Sequence, residues 1–140
     1  MNRLMRILQV EDSPEDQMMT AEALKEASPC MELRSVVSTK EAIAMISVNS
    51  DWRPNVVLLD LSLPGGNGFE MLQFIKAQPD LQSIPVIIFS SSKAQQDIDE
   101  GYRLRANCYI TKPADFEGYL ATISSMIKFG VSCVQLPFPC

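Results

Sequence analysis

The chain has 140 residues, a formal net charge of −5 and a pI near 4.7, with 46% hydrophobic and 21% charged residues. That length suits one domain with its own core, and the composition is that of a globular protein rather than a disordered one. The acidic balance argues against unaided nucleic-acid binding, and no apolar run approaches the length of a membrane span. There is no histidine, which removes Ser-His and Cys-His catalysis, imidazole metal ligation and phosphohistidine chemistry on this chain. Cys30, Cys108, Cys133 and Cys140 are scattered without a CxxC pair, so free thiols in a reducing compartment are expected. The start MNRLMRILQVED lacks a signal-peptide pattern, and the expected location is cytoplasmic.

Leu4 to Val10 reads as a first strand ending in Glu11-Asp12. Ser13-Pro14-Glu15-Asp16 then carries the marks of a helix start: Ser as N-cap, Pro at the first position, acids in the first turn. That helix is expected to reach Ala27, with Met18, Ala21 and Leu24 inward and Ser28-Pro29 ending it. Met31 to Val37 is a short second strand, and Ser38 or Thr39 caps a helix with Ala42, Ile43 and Ile46 as its apolar positions.

The central stretch runs from Val56 to Leu59 straight into Asp60, followed by a loop with Pro64, Gly65, Gly66 and Gly68. A continuous apolar run bounded by turn residues reads as a strand buried on both faces of a parallel sheet. Such sheets place their chemistry beyond the carboxyl ends of their strands. Phe69, Leu72 and Ile75 then repeat at helical spacing, and Val86 to Phe89 forms a fourth strand ending in Ser90, Ser91 and Ser92. Ala94 to Arg105 reads as a helix whose Asp97, Asp99, Glu100, Arg103 and Arg105 form a solvated face. Ala106 to Pro113 holds a fifth strand, and Asp115 starts a last helix with Phe116, Leu120, Ile123 and Ile127 inward. Strands alternating with helices predict an α/β, doubly wound parallel sheet with helices on both faces. The expected domain covers residues 1–128. Residues 129–140 are expected to form a proline-rich apolar tail, and no separate output domain is expected.

The ends of strands one, three, four and five carry Glu11-Asp12, Asp60, Ser90 and Lys112, and a parallel sheet brings these ends to one edge. Clustered carboxylates without histidine suit a hard divalent cation such as Mg²⁺. A lysine supplies a point charge for phosphoryl oxygens, a serine hydroxyl can donate to one, and an aspartate can itself become an aspartyl-phosphate. Taken singly, each residue has a bland reading. The acid pair would serve the helix macrodipole, Asp60 would be a solvated strand end, the serines a capping loop, Lys112 a surface charge and Tyr109 an edge-of-core aromatic. Their joint occurrence at matched strand ends outweighs those readings.

This pattern resembles the response-regulator receiver domain over residues 4–128. It includes the acid pair, Asp60 before LxLPxxxG, Ser90, Tyr109 and Lys112-Pro113, at intervals of 48, 30 and 22 residues from Asp12 to Asp60 to Ser90 to Lys112. The phrases VEDSPEDQ, LLDLSLPGGNG, IPVIIFSSSKAQQDI and ANCYITKP resemble small phytochrome-linked response regulators, as does a tail ending in a VxLP-like segment, although Phe129-Gly130 stands where Phe-Trp is expected. The resemblance implies a five-stranded sheet of order 2-1-3-4-5, flavodoxin-like or CheY-like. It implies Asp60 as phosphoacceptor, Asp12 and the Ser62 backbone carbonyl as Mg²⁺ ligands with Asp60, Glu11 as a ligand through water, and Lys112 as the phosphoryl partner. Ser90 and Tyr109 become the switch pair, Ser62 and Ser92 flank the site where the family tunes hydrolysis, and Lys112-Pro113 is expected to be cis.

The implied function is a non-enzymatic, single-domain regulator that accepts phosphate from a sensor histidine kinase, of phytochrome type, and signals by protein contact. The surface of the fourth helix, fifth strand and fifth helix is the candidate homodimer face. Neither membrane nor nucleic acid is an expected partner. Competing readings are a degenerate receiver adaptor, against which the full acid set argues, and a haloacid-dehalogenase-type phosphatase, whose DxDx[TV] pattern Asp60-Leu61-Ser62 lacks. A flavodoxin-like cofactor binder is a third, but Glu11-Asp12 would repel a flavin phosphate.

Overall fold

A computed structural model describes residues 5–27, 31–47, 51–63 and 66–132. In chain order the elements are β1 (Met5–Val10), α1 (Pro14–Ala27), β2 (Met31–Val36), α2 (Thr39–Ile46), β3 (Val56–Leu59), the two-residue strands β4 (Ser62–Leu63) and β5 (Gly66–Asn67), α3 (Gly68–Ala77), β6 (Val86–Ser90), α4 (Gln95–Arg103), β7 (Cys108–Thr111) and α5 (Phe116–Ser132). The main sheet runs β2-β1-β3-β6-β7, all parallel, while β4 and β5 pair antiparallel beside it. Counting the main-sheet strands alone, this is the expected 2-1-3-4-5 order.

Strand β3 shows why the sheet is buried on both sides. Its four residues alternate between two cores: Val56 and Leu58 join Ile7, Leu24, Ile123 and Ile127, whereas Val57 and Leu59 join Leu8, Val10, Ile46, Leu72 and Ile75. A period of two sends successive side chains to opposite faces, so a strand covered on both must be apolar throughout. One core lies under α1 and α5, the other under α2 and α3. Each fully buried Leu or Ile contributes about 1.5–3 kcal/mol relative to exposure.

Helix boundaries follow local chemistry. The Ser13 hydroxyl accepts from the Asp16 N–H at 3.3 Å, and Ser38 accepts from Glu41 N–H at 3.2 Å while the Glu41 carboxylate accepts from Val37 N–H at 3.0 Å. Helix α4 stops at Arg103, short of the expected Arg105. Arg105 takes a left-handed φ of 74°, its N–H donates to Tyr102 O and the Ala106 N–H to Gly101 O, the paired bonds of a Schellman ending.

Two inward assignments are corrected. Met18 is 67% exposed, because α1 turns Thr20, Ala23 and Leu24 to the sheet. The polar Thr20 can be buried because Gln9 and Tyr119 hydrogen-bond its hydroxyl. Phe116 is 55% exposed, since α5 packs through Tyr119, Ile123 and Ile127, a four-residue repeat that puts its first-turn Phe outside. Helix α5 runs to Ser132, past the boundary drawn at 128. Residues 133–140 of the expected tail, with Cys133 and Cys140, lie outside the described residues, as do Leu4, Ser28-Pro29, Cys30, Pro64 and Gly65. Among the described residues Cys108 is a free, half-buried thiol, and no helix is long and apolar enough to cross a membrane.

Candidate phosphoacceptor site

The sheet register fixes which strand ends meet. Val10 pairs with Leu59, and the ladders continue one residue further: Asp60 N–H donates to Val10 O at 3.0 Å, Glu11 N–H to Val36 O at 2.9 Å, and Lys112 N–H to Ser90 O at 2.8 Å. Glu11, Asp60 and Lys112 are thereby held by backbone bonds at the carboxyl edge, with side chains beyond the last apolar layer. Glu11 is 3% and Asp60 7% exposed, whereas Asp12 is exposed.

Lys112 is the hub. Its ammonium pairs with Glu11 Oε1, with Asp16 Oδ2 at 2.6 Å and with Asp60 Oδ2 at 3.0 Å, and lies 5.9 Å from the Phe89 ring centroid. Burial alone would lower its pKa. The bonds from Asp16 and Glu11 and the charges of Asp60 and Glu11 outweigh that, and the net direction is upward. Lys112 therefore stays a cation at neutral pH. One cation does not satisfy so many acids: burial pushes Glu11 up to about 7, against the bond and charge of Lys112, with the Asp60 charge adding to the rise.

Carboxylate oxygens of Glu11, Asp12 and Asp60 all lie within 4.8 Å of one another. Such an all-oxygen set, short of positive charge and open to solvent on the Asp12 side, fits a hard divalent cation that keeps several waters. The other Asp60 oxygen, Oδ1, accepts from the Ser62 N–H at 3.2 Å, which fixes the rotamer of the carboxylate. Ser62 itself is exposed, at the start of β4.

The glycine-rich stretch has a sharper role than a flexible loop. A Cβ on Gly68 would stand 2.2 Å from Asp60 O and 3.0 Å from Leu61 Cα, and the Gly68 N–H donates to Leu61 O at 3.0 Å. The start of α3 is thus pressed against the backbone that carries Asp60, a distance only glycine permits.

Ser90 and Tyr109 meet through Ser92. The fully buried Ser90 hydroxyl accepts from Ser92 N–H at 3.3 Å, the Tyr109 hydroxyl donates to Ser92 O at 2.9 Å, and the Ser92 hydroxyl donates to Asp97 on α4. Tyr109 is half-buried against the α2–α3 core, and its own N–H donates to the Tyr102 hydroxyl at 3.1 Å. The Lys112–Pro113 bond is trans, against the expectation of cis. The preference between isomers before proline is only about 0.5–1 kcal/mol, so the dipeptide does not dictate one.

Asp16 is the member that the sequence alone did not disclose. As a first-turn acid it looked like a partner of the macrodipole, yet its carboxylate pairs with Lys112, 96 residues away. Its carbonyl accepts from the Tyr119 hydroxyl at 3.2 Å, and Tyr119 shares a 2.9 Å bond with Thr20, which accepts from Gln9 at 2.8 Å. Burial, ahead of an opposing bond from Thr20, pushes Tyr119 up to about 12. A groove of about 780 Å³ opens beside this wall, lined by Glu15, Asp16, Lys93, Lys112, Phe116 and Tyr119 among others. The only hint available in sequence was Asp16 standing four residues after the metal-type acid Asp12, in the first turn of α1.

Comparisons with known proteins agree with this geometry. The family described as "Response regulator receiver domain" matches residues 7–124. The response regulator Rcp1 of Synechocystis sp. is 35% identical over 135 residues, covering 94% of this chain and 92% of Rcp1. The crystal structure of the phosphorylated cyanobacterial phytochrome response regulator RcpA has a TM-score of 0.91 at 34% identity, covering 96% of this chain and 99% of that one. The Mn²⁺-bound form of Rcp1 has a TM-score of 0.88 at 36% identity, covering 95% and 99%. With the family's fold and sequence pattern spanning nearly its whole length, this chain belongs to the response regulator receiver domain family.

Proposed function

We propose that this receiver takes a phosphoryl group onto Asp60 from the phosphohistidine of a sensor histidine kinase, of phytochrome type, and signals through the protein surface that the modification reshapes. The single observation that carries this reading is the convergence of Glu11, Asp12, Asp60 and Lys112 at one sheet edge. In the transfer, a bond forms between an Asp60 carboxylate oxygen and phosphorus as the donor's P–N bond breaks, and the kinase imidazole leaves. Asp12, Asp60 and the Ser62 carbonyl, with Glu11 through water, would hold Mg²⁺, which would supply positive charge against the phosphoryl oxygens. Lys112 keeps a fixed positive charge facing that group, and Ser62 N–H holds the Asp60 carboxylate in place.

The added acyl phosphate brings roughly −1.5 to −2 charge to the strand end. Ser90 would turn its hydroxyl toward that charge and release Ser92, to which Tyr109 is also bonded, so a change at Asp60 has a route to α4 through Asp97. The phytochrome assignment draws on the resemblance of this chain to RcpA, a cyanobacterial phytochrome response regulator.

Intact mass after incubation with Mg²⁺ and acetyl phosphate tests the acceptor: wild type gains one phosphoryl group and Asp60→Asn gains none. Equal labelling of the two, or no labelling of wild type, refutes it. Transfer from a phytochrome-type kinase is expected to outpace transfer from unrelated kinases.

A further inference from the structure

We propose that Asp16 is the dedicated partner of the Lys112 ammonium during phosphoryl transfer, a positioning residue held in place by a buried hydroxyl chain from α5 and β1. This inference rests on the reading of Asp60 as phosphoacceptor and concerns what keeps Lys112 aimed at it.

Three carboxylates share Lys112, but they are not equivalent. Glu11 and Asp60 belong to the oxygen cluster that suits a cation, and Asp60 is the residue that would carry the acyl phosphate. Asp16 stands outside that cluster. When the other two are engaged by metal and phosphorus, Asp16 is the carboxylate still free to hold the ammonium. Its 2.6 Å bond to Nζ is of the charge-assisted kind, and the Lys112 side chain is only 8% exposed.

The position of Asp16 is itself fixed twice. Its N–H is capped by the Ser13 hydroxyl, and its carbonyl accepts from Tyr119. Tyr119 is 2% exposed and packs edge-on against Phe89 at 5.1 Å between centroids, the same ring that Lys112 overhangs. Behind it, Thr20 is fully buried, Gln9 is 3% exposed, and Gln9 Oε1 accepts from Ser35 at 3.0 Å. If Gln9 donates to Thr20 and Thr20 to Tyr119, each hydroxyl uses its one proton and the chain ends on the Asp16 carbonyl. A row of buried polar groups inside an apolar seam between α1 and α5 is costly unless fully bonded, and here it is bonded link by link. It gives the first turn of α1 an anchor in the core, and Asp16 passes that rigidity to Lys112.

The test uses the full chain with acetyl phosphate at saturating Mg²⁺, and the ¹⁵Nζ resonance of Lys112 without donor. Asp16→Asn is expected to lower the maximal phosphorylation rate about tenfold, as a misplaced catalytic group does, with Mg²⁺ affinity within about twofold. In the same variant the Lys112 ammonium, left with Glu11 and Asp60, is expected to exchange its protons with water faster than in wild type. If Asp16 acted only as a distant charge, its removal would instead weaken Mg²⁺ binding and tighten the anionic donor at unchanged maximal rate, and that outcome overturns the proposal. Tyr119→Phe leaves the Asp16 carboxylate but frees its carbonyl. A fall of about threefold is expected there, and an unaltered rate in this variant overturns the anchoring chain even if Asp16→Asn fails to fold. A wild type that takes up no phosphoryl group removes the reading on which this rests. Normal wild-type labelling beside an unimpaired Asp16→Asn removes the positioning role alone.

Discussion

The two ends of the same sheet handle polar groups in opposite ways. At the amino end, one device is used twice. Asn55, just before β3, donates its N–H to Arg6 O and accepts the Arg6 N–H on its side chain, both at 2.7 Å. Asn107, just before β7, does the same with Val86, both at 2.9 Å. Each strand N–H there meets a neutral acceptor, Asn107 Oδ1 also taking the Lys76 ammonium at 3.4 Å, and the strand starts are clamped. At the carboxyl end, Lys112 serves Glu11, Asp16 and Asp60 at once, and Asp12 joins the acids unpaired with it. Where every group is satisfied the sheet is being closed. Where acids outnumber cations, the fold has kept electrostatic demand that a metal or a phosphoryl-bearing partner can meet, at some cost in stability.

The contrast can be broken or sharpened by measurement, beginning with the largest effect. Gly68→Ala forces a methyl into the Asp60 carbonyl, and a loss of about 3 kcal/mol is expected in chemical denaturation, together with lost phosphorylation. Stability equal to wild type would show that the carboxyl edge is less tightly built than the 2.2 Å approach implies. Next, Mg²⁺ at 100 times its dissociation constant should stabilise wild type by about 2.7 kcal/mol in a melting experiment. Asp12→Asn should lose most of that gain, and chelation should reverse it. A cation that stabilises both proteins alike would place its binding elsewhere. Smallest, Asn55→Ala or Asn107→Ala at the amino edge should cost about 1–2 kcal/mol through an unsatisfied strand N–H, with Mg²⁺ stabilisation unchanged. Loss of the Mg²⁺ effect in these variants would erase the distinction between the two ends.

Much of the site was legible because its chemistry is placed by strand ends. Glu11-Asp12, Asp60, Ser90 and Lys112 each follow an apolar run, and a parallel sheet brings such ends together whatever the loops do. The inward faces of α1 and α5 were harder. Met18 and Phe116 are apolar and fall on plausible helical spacings, yet both are exposed, while Thr20 and Tyr119 are buried. Side-chain polarity misled there because a hydroxyl with a partner across the seam is at home in a core, and that partner is 99 residues away. The Asn55 and Asn107 clamps were hidden for the same reason: each requires knowing which strand lies alongside.

By itself, then, the sequence determined the alternation of strands and helices, the strand that is buried on both faces, and the acids and lysine that gather at one edge. Those follow from local periodicity and from which residues end each run. Only the tertiary structure decided that Asp16 joins Lys112, that Gly68 presses on the backbone of Asp60, that Ser92 links Ser90 to Tyr109, and that Lys112 is shared among three carboxylates. Each of these is a contact between elements far apart in the chain. Their geometry depends on helix rotation and sheet register, which packing sets and local propensity does not.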